Sequence, residues 1–475
     1  MSALRITNLT IALASGSAQP LVDAVSLVIP RGESLCLIGE TGSGKSLVAQ
    51  AVMGLLPASL KAKGAIRVDA GLAVDARDAK ALRSLWSHAT SIIPQEPAAA
   101  FDPLMRIGAQ IGGSSKLGAA GIAQALAEVD LPSTTMAGYP FQLSGGMAQR
   151  VLVAHASLSD AALVIADEPT KGLDGPRVEQ VIRLLRQLRD NGKTLLVITH
   201  DLNVARGLGG MIAVMRDGAT VESGVAAEVL ASPEHAYTRA WLAADPGSWP
   251  ACETCLHADD IVLAAHGLTA GYGSSKPLFR NLDLHVRKGE VLAVIGPSGV
   301  GKSTLGNVLL GLMPPQAGEV SWAGCDPYKD PSGARRLRRR YQKLHQDPAT
   351  VFAPHRTIGA QLSDVMKHDA EALMPARLTD LLERLRLDRG LLKRRVSEVS
   401  GGEAQRLAMA RLLLMKPTLI IADEPTSRLD PIVQQQTMLL LREIVAEDAL
   451  SLVLISHQKD VIKAVADEVI ELVQG

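Results

Sequence analysis

Cysteine is scarce, net charge is absent and no apolar run is long, and each shortage excludes a class of protein. Four cysteines in 475 residues, Cys36, Cys252, Cys255 and Cys325, are too few and too scattered for a disulfide framework. A reducing compartment is the simpler expectation. Lys+Arg and Asp+Glu stand at 49 each, so no global field recruits nucleic acid or anionic lipid. A membrane-crossing helix needs about eighteen consecutive apolar residues; the longest candidate, Leu412 to Ala422, is interrupted by Lys416 and Pro417. What is present is ordinary for a globular protein, 47% apolar and 21% charged, and the length suits two or three domains.

The chain contains itself twice. Lys45 and Lys302, Gln95 and Gln346, Ser144 and Ser400, Glu168 and Glu424, and His200 and His457 recur in the same order at an almost constant offset. Five features in register identify a duplicated domain. The expected division is a first domain over 1–244, a linker over 245–259 and a second domain over 260–475. Residues Asp245 to Asp259 are rich in Pro, Gly and small polar residues, as a linker should be. In each copy the apolar runs SLCLIGE, LVIADEP and TLLVITHD, and VLAVIGP, LIIADEP and SLVLISHQ, have the character of buried parallel strands. Helix-like periodicity fills Ile107 to Val129 and Ile358 to Leu387. The fold class expected is α/β.

Two glycine-rich loops carry the chemistry. Gly39-Glu-Thr-Gly42-Ser-Gly44-Lys45-Ser46 and Gly296-Pro-Ser-Gly299-Val-Gly301-Lys302-Ser303 fit GxxxxGK[ST], each between an apolar strand and a helix-like run. Glycines let backbone N–H groups curl around phosphates, and the helix N-terminus that follows adds partial positive charge. Lys45 and Lys302 are expected to reach the β/γ-phosphates of ATP, while Ser46 and Ser303, the latter followed by Thr304, face Mg²⁺. A leader-like core at Leu9 to Ala18 is set aside, because export would separate these loops from cytosolic ATP. Asp167 and Asp423 end buried runs and are candidate Mg²⁺ partners; Glu168 and Glu424 are candidates to polarise the attacking water. His200 and His457 are candidate γ-phosphate contacts. Gln95 and Gln346 are candidates for Mg²⁺ or the water, at a hinge.

Leu143-Ser-Gly-Gly-Met-Ala-Gln-Arg150 and Val399-Ser-Gly-Gly-Glu-Ala-Gln-Arg406 resemble the LSGGQ signature of the ATP-binding-cassette family. With the other motifs, the resemblance spans nearly the whole chain. It implies two P-loop NTPase nucleotide-binding domains in tandem, each a RecA-like α/β core with a helical subdomain. It also implies composite ATP sites, in which one cassette's signature completes the other's phosphate loop. Site one would join Lys45, Ser46, Gln95, Asp167, Glu168 and His200 to Ser400, Gly401 and Gly402. Site two would join Lys302, Ser303, Gln346, Asp423, Glu424 and His457 to Ser144, Gly145 and Gly146. The family's adenine-stacking aromatic has a candidate in Tyr272, whereas no Phe, Tyr or Trp occurs between Met1 and Gln50. The fifth signature residue is Met147 or Glu403 rather than Gln. Lys171-Gly172-Leu173-Asp174 differs from Ser427-Arg428-Leu429-Asp430 in the loop after the acidic pair, which is a second source of inequality between the sites.

Gln95 to Gly108, Gln346 to Gly359 and Ser232 to Leu242 (SPEHAYTRAWL) resemble the hinge and PxHPYT segments of the peptide/nickel/opine importer branch. That branch implies an ATPase peripheral to the cytoplasmic face of the cell (inner) membrane. Two transmembrane permease subunits and an extracytoplasmic solute-binding protein are its implied partners, with no nucleic acid. Cys252 and Cys255, with His257 nearby, fall short of a four-ligand site. The run Arg335 to Arg340 is expected to be a solvated helix face. The rival class is a soluble tandem cassette acting on ribosomes or nucleic acid, which the resemblance associates with a long charged linker.

Overall fold

The apolar runs become strands buried along their whole length. Ser34–Gly39, Thr194–Thr199 and Ser451–Ile455 have every residue buried, as parallel strands covered on both faces do. The computed structural model describes residues 2–16, 19–69, 71–86, 88–112, 118–171, 173, 175–252, 259–273, 276–297, 299–367, 375–427 and 429–473. These fall into two compact units, Met1–Leu242 and Ala243–Gly475.

In the first unit one sheet runs in the order Ala219–Val225, Met211–Arg216, Ser34–Gly39, Thr194–Thr199, Leu163–Asp167, Thr90–Ile93. All neighbours are parallel except the antiparallel pair at the Ala219–Val225 edge. A second, antiparallel sheet is built from Val22–Pro30, Ser2–Leu13, Leu60–Val68 and Val74–Asp75. Both sheets and the helix Lys45–Val52 share one core, through residues such as Ile11, Ile66, Leu37, Val48 and Ile198. In the second unit the parallel order is Tyr341–Leu344, Leu419–Asp423, Ser451–Ile455, Val291–Ile295, Glu468–Glu471. An antiparallel sheet of Phe279–Arg287, Ile261–Ala270 and Ala317–Trp322 stands beside it. In each unit the carboxyl ends of adjacent parallel strands lie together, which is where α/β sheets place ligands.

The helix-like periodicities resolve into helices Ile107–Gly112 and Gly118–Glu128 in the first unit, and Ile358–Met366 and Pro375–Arg384 in the second. Each pair leads into a longer helix headed by the signature, Gly145–Leu158 or Gly401–Leu413. The segment Asp245 to Cys252 belongs to the second unit. Trp249 lies against its core, and Cys252 N–H donates to Lys463 O. Cys255 and His257 lie outside the described residues. The arginine run is a helix, Pro331–Leu337, continued by a 3-10 turn, Arg338–Arg340. Arg338 stacks over Trp322 and donates to Leu310 O. Among the described residues no helix is long and apolar enough to cross a membrane.

Candidate nucleotide sites

Each phosphate loop joins an interior strand of its parallel sheet to a helix. Gly39 and Gly296 make the sharp exit, at φ +150° and +149°. A Cβ on Gly39 would lie 2.1 Å from Met215 O, and one on Gly296 2.5 Å from Leu472 O; only glycine fits. Gly44 and Gly301, both left-handed, precede helices Lys45–Val52 and Lys302–Leu309. Both lysines are buried, 6% and 8% exposed, and fold back along their own loops. Lys45 Nζ donates to Gly39 O and Glu40 O at 2.7 Å each and to Ser43 Oγ at 3.3 Å. Lys302 Nζ donates to Gly296 O at 2.7 Å and Pro297 O at 3.0 Å. A buried ammonium that donates to the carbonyls of its own loop is suited to an anion seated in the same loop.

The strands Leu163–Asp167 and Leu419–Asp423, one strand removed in each sheet, bring the acidic pairs to these loops. Ser46 Oγ donates to Asp167 Oδ1 at 3.1 Å, and Ser303 Oγ to Asp423 Oδ1 at 3.2 Å. Such hard-oxygen pairs beside a phosphate loop are the donor type Mg²⁺ takes, so both sites fit the ion. Burial pushes the Asp167 carboxyl above its ordinary range. Glu168 and Glu424 have left-handed backbones, φ 50° and 47°, a conformation that costs a non-glycine residue about 1 kcal/mol or more. The turn aims each carboxylate at a histidine on the neighbouring strand end. His200 Nδ1 meets Glu168 Oε1 at 2.9 Å, and His457 Nδ1 meets Glu424 Oε1 at 2.9 Å. Burial pushes Glu168 up, but the His200 hydrogen bond and charge, with Lys45 and Lys171, outweigh it and leave the carboxyl below its usual range. Burial pushes His200 down, and Glu168 more than reverses that. Glu168 Oε2 is buried and lies 2.9 Å from the same His200 Nδ1, so the imidazole faces both carboxylate oxygens. Burial likewise raises Glu424 and is outweighed by His457 and Lys302, for a net lowering.

The glutamines lie just past the outer strands and are exposed. Gln346 Nε2 donates to Ser427 Oγ at 3.2 Å, which donates to Glu424 O at 3.2 Å. Lys171 stands at the Ser427 position in the first unit. The segments Gly172, Asp174 and Arg428 lie outside the described residues. Tyr272, 62% exposed, places its hydroxyl 3.2 Å from Thr304 Oγ1, beside the second phosphate loop.

Ser144 and Ser400 cap the signature helices, each accepting from the third residue on, Met147 N or Glu403 N, at 3.3 Å. Glu403 returns the contact: its Oε2 accepts from Ser400 N–H at 2.7 Å and Ser400 Oγ at 2.8 Å. The departure from Gln is thus a capping box, and its S-x-x-E spacing was a usable signal in the sequence. Among the described residues no hydrogen bond or ion pair joins Ser144 or Ser400 to its own unit's phosphate loop. Gly145 and Gly146 have nothing within 4 Å of an added Cβ and no positive φ. Neither crowding nor backbone conformation inside the unit demands glycine there.

Two contacts escape the motifs. Tyr237, inside the PxHPYT-like segment, accepts from Glu40 N–H at 3.0 Å and so anchors the first phosphate loop; Arg216 stacks on its ring at 5.1 Å. Lys343, inside the strand before Gln346, is 3.4 Å from Asp423 Oδ2. A lysine in an otherwise strand-like YQKL was its only trace in the sequence. Of the cysteines, Cys36 is fully buried, which pushes its thiol up to about 12, and Cys252 Sγ accepts from Arg442 at 3.0 Å.

The family model described as ABC transporter matches residues 22–171 and 279–427, more than half of the chain and one match per unit. The peptidoglycan transport ATP-binding protein YejF of Agrobacterium fabrum is 34% identical over 99% of this chain and 91% of its own. The glutathione import ATP-binding protein GsiA of Escherichia coli is 32% identical over 99% of this chain and 85% of its own. Among solved structures, RNase-L Inhibitor aligns over 97% of this chain and 87% of its own with a TM-score of 0.64. At 22% identity that likeness is one of fold. Two motif sets in register, two family matches and full-length transport relatives agree: the chain belongs to the ABC transporter family, as a tandem pair of ATP-binding cassettes that hydrolyse ATP to drive transport.

Proposed function

We propose that this chain energises an importer of peptides or related small solutes through two composite ATP sites, each pairing one cassette's phosphate loop with the other's signature. The observation that carries the importer reading is full-length identity of 32–34% to proteins named for peptidoglycan transport and glutathione import. Those names speak for peptidic solutes rather than nickel or metal chelates. Composite sites are supported by Gly145 and Gly146, whose open surroundings suit approach of a phosphate from outside the cassette to a helix N-terminus.

In this reading Lys45 and Lys302 leave their loop carbonyls for the β/γ-phosphates. Ser46 with Asp167, and Ser303 with Asp423, hold Mg²⁺, with Gln95 and Gln346 as hinge-borne additions; the ion neutralises charge developing on the transferred phosphoryl group. Glu168 and Glu424 accept a proton from water aligned on the γ-phosphate, and His200 and His457 fix those carboxylates in place. Tyr272 stacks on adenine at site two. The segments Ile107–Gly112 and Ile358–Met366, following the glutamine hinges, would transmit closure to two transmembrane permease subunits at the cytoplasmic face of the inner membrane. An extracytoplasmic solute-binding protein delivers the cargo.

The test is affinity capture of the tagged chain from its native membranes. Co-purification of multi-span membrane proteins, with a peptide-binding solute receptor, is the expected result. Ribosomes or nucleic-acid proteins without any permease would instead favour the soluble tandem class.

A further inference from the structure

The two cassettes place a lysine differently around the acidic pair: in contact with Asp423 in the second, and acting through space on Asp167 in the first. Lys343 lies on the strand Tyr341–Leu344, opposite Ile421 of the strand that ends in Asp423. Its ammonium is 3.4 Å from Asp423 Oδ2 and donates to Asn307 Oδ1 at 3.0 Å, on the helix that follows the phosphate loop. The ion pair is well shielded, its side chains 15% and 13% exposed. At the same place in the first cassette stands Ile92, opposite Ile165, part of the apolar packing beneath that site. Lys171 acts on Asp167 through space, but no ion pair between them is formed among the described residues. Among the described residues Lys343 forms its ion pair with Asp423.

A lysine drawn into a strand gives up hydration, and a shielded ion pair recovers it only with good partners. The partners here are a carboxylate and an amide on the two elements that flank the second phosphate loop. Asp423 therefore has its oxygens divided: Ser303 donates to Oδ1 and Lys343 faces Oδ2. A divalent cation drawn to Ser303 and Asp423 must share that carboxylate with a fixed positive charge. In a weakly screened site one such charge at a few ångströms is a large effect.

We propose that Lys343 is a positioning residue that makes the second site bind its divalent ion more weakly than the first, so that the two cassettes fill at different free Mg²⁺ concentrations. The inference rests on the reading of Ser303 and Asp423 as the metal pair. Lys343 holds Asp423 in place when the ion is absent and opposes the ion when it arrives.

The experiment measures Mn²⁺ as an EPR-visible stand-in for Mg²⁺, titrated into the full chain saturated with ADP, with no turnover required. The wild type should bind two ions in two classes, about tenfold apart in affinity. Lys343→Met keeps the apolar stem and removes the charge; the weaker class should tighten until the two nearly merge. Ile92→Lys, the reciprocal change, should weaken the tighter class, with nucleotide affinity measured in EDTA left unchanged in both variants. Equal classes in the wild type, or two classes that Lys343→Met leaves apart, would overturn the role of Lys343. Loss of ion binding in Ser303→Ala alone establishes the metal pair, so binding untouched by that variant would take down the underlying reading first.

Discussion

Replacing Tyr237 by Phe should weaken ATP binding at the first phosphate loop and leave the second untouched. The Tyr237 hydroxyl accepts from Glu40 N–H at 3.0 Å, and Arg216 against the ring keeps the phenyl group in place after the oxygen is gone. The loop would lose one neutral hydrogen bond to a half-buried amide, about 1 kcal/mol, or about fivefold in nucleotide affinity if the whole effect falls on the bound loop. The second cassette supplies its own control: the residue equivalent to Glu40 is Pro297, which has no N–H to satisfy. The assay is equilibrium binding of a fluorescent ATP analogue in a Lys302→Ala background, so that the first loop alone is read. Hydrogen exchange at the Glu40 amide should accelerate in parallel. Adding Glu40→Pro to Tyr237→Phe should recover most of the loss, because it removes the orphaned donor. Unchanged affinity together with unchanged exchange would refute the reasoning.

Glu424→Gln keeps the carboxylate's shape and removes its basicity, so ATP binding should persist while phosphate release from the second site falls about 10²–10⁴-fold; single-turnover hydrolysis reads it. His200 should titrate above the ordinary histidine value of about 6.5, and in Glu168→Gln fall from there, since burial and Lys45 are then opposed by Asp201 without the glutamate; imidazole NMR shifts report both. The same pair stabilises the first cassette fully between the ordinary Glu and His values, about pH 4.3 to 6.5. Its contribution fades as pH falls through the lowered Glu168 value and as it rises through the raised His200 value, which a pH series of melting temperatures should show. Gly39→Ala should cost the first cassette about 3 kcal/mol or more, because its Cβ would meet Met215 O at 2.1 Å. Gly42→Ala, with open space around it but a backbone at φ +91°, should cost less, about 1–2 kcal/mol of backbone strain.

The repeated motifs were legible because each is a chemical requirement carried on consecutive residues. The loop glycines, the paired acids at strand ends and the signature Ser-Gly-Gly each announce a phosphate or metal partner without long-range information. The parallel sheets followed from the unbroken apolar runs. Contacts that join distant segments were not legible in the same way. The pairing of Glu168 with His200 depends on the order of strands Leu163–Asp167 and Thr194–Thr199 in the sheet. The support of Glu40 by Tyr237 spans nearly two hundred residues, with |i−j| of 197, and the strings SPEHAYT and GETGSGKS contain nothing that pairs them. Glu403 was different: its capping-box spacing was on view, and comparison with the usual Gln drew attention away from it.

Where the two copies diverge at these positions around the site, each version has contacts of its own close by. Glu40 carries an N–H and has Tyr237 to receive it; Pro297 carries none, and the second cassette has no such segment among its described residues. Ser427 bridges Gln346 to the Glu424 carbonyl, whereas Lys171 at that position contributes charge to Asp167 and Glu168 instead. Ile92 is half-buried against the core, while Lys343 has both Asp423 and Asn307 as partners. Paired changes of this kind mean that neither site is a decayed copy of the other. Each has kept its lysine, its acidic pair and its histidine, and has fitted different supports beneath them. Ile92→Lys should therefore cost the first cassette more stability alone than together with Gln50→Asn, which supplies the amide partner that Lys343 has in Asn307; melting temperatures of the two variants read the difference.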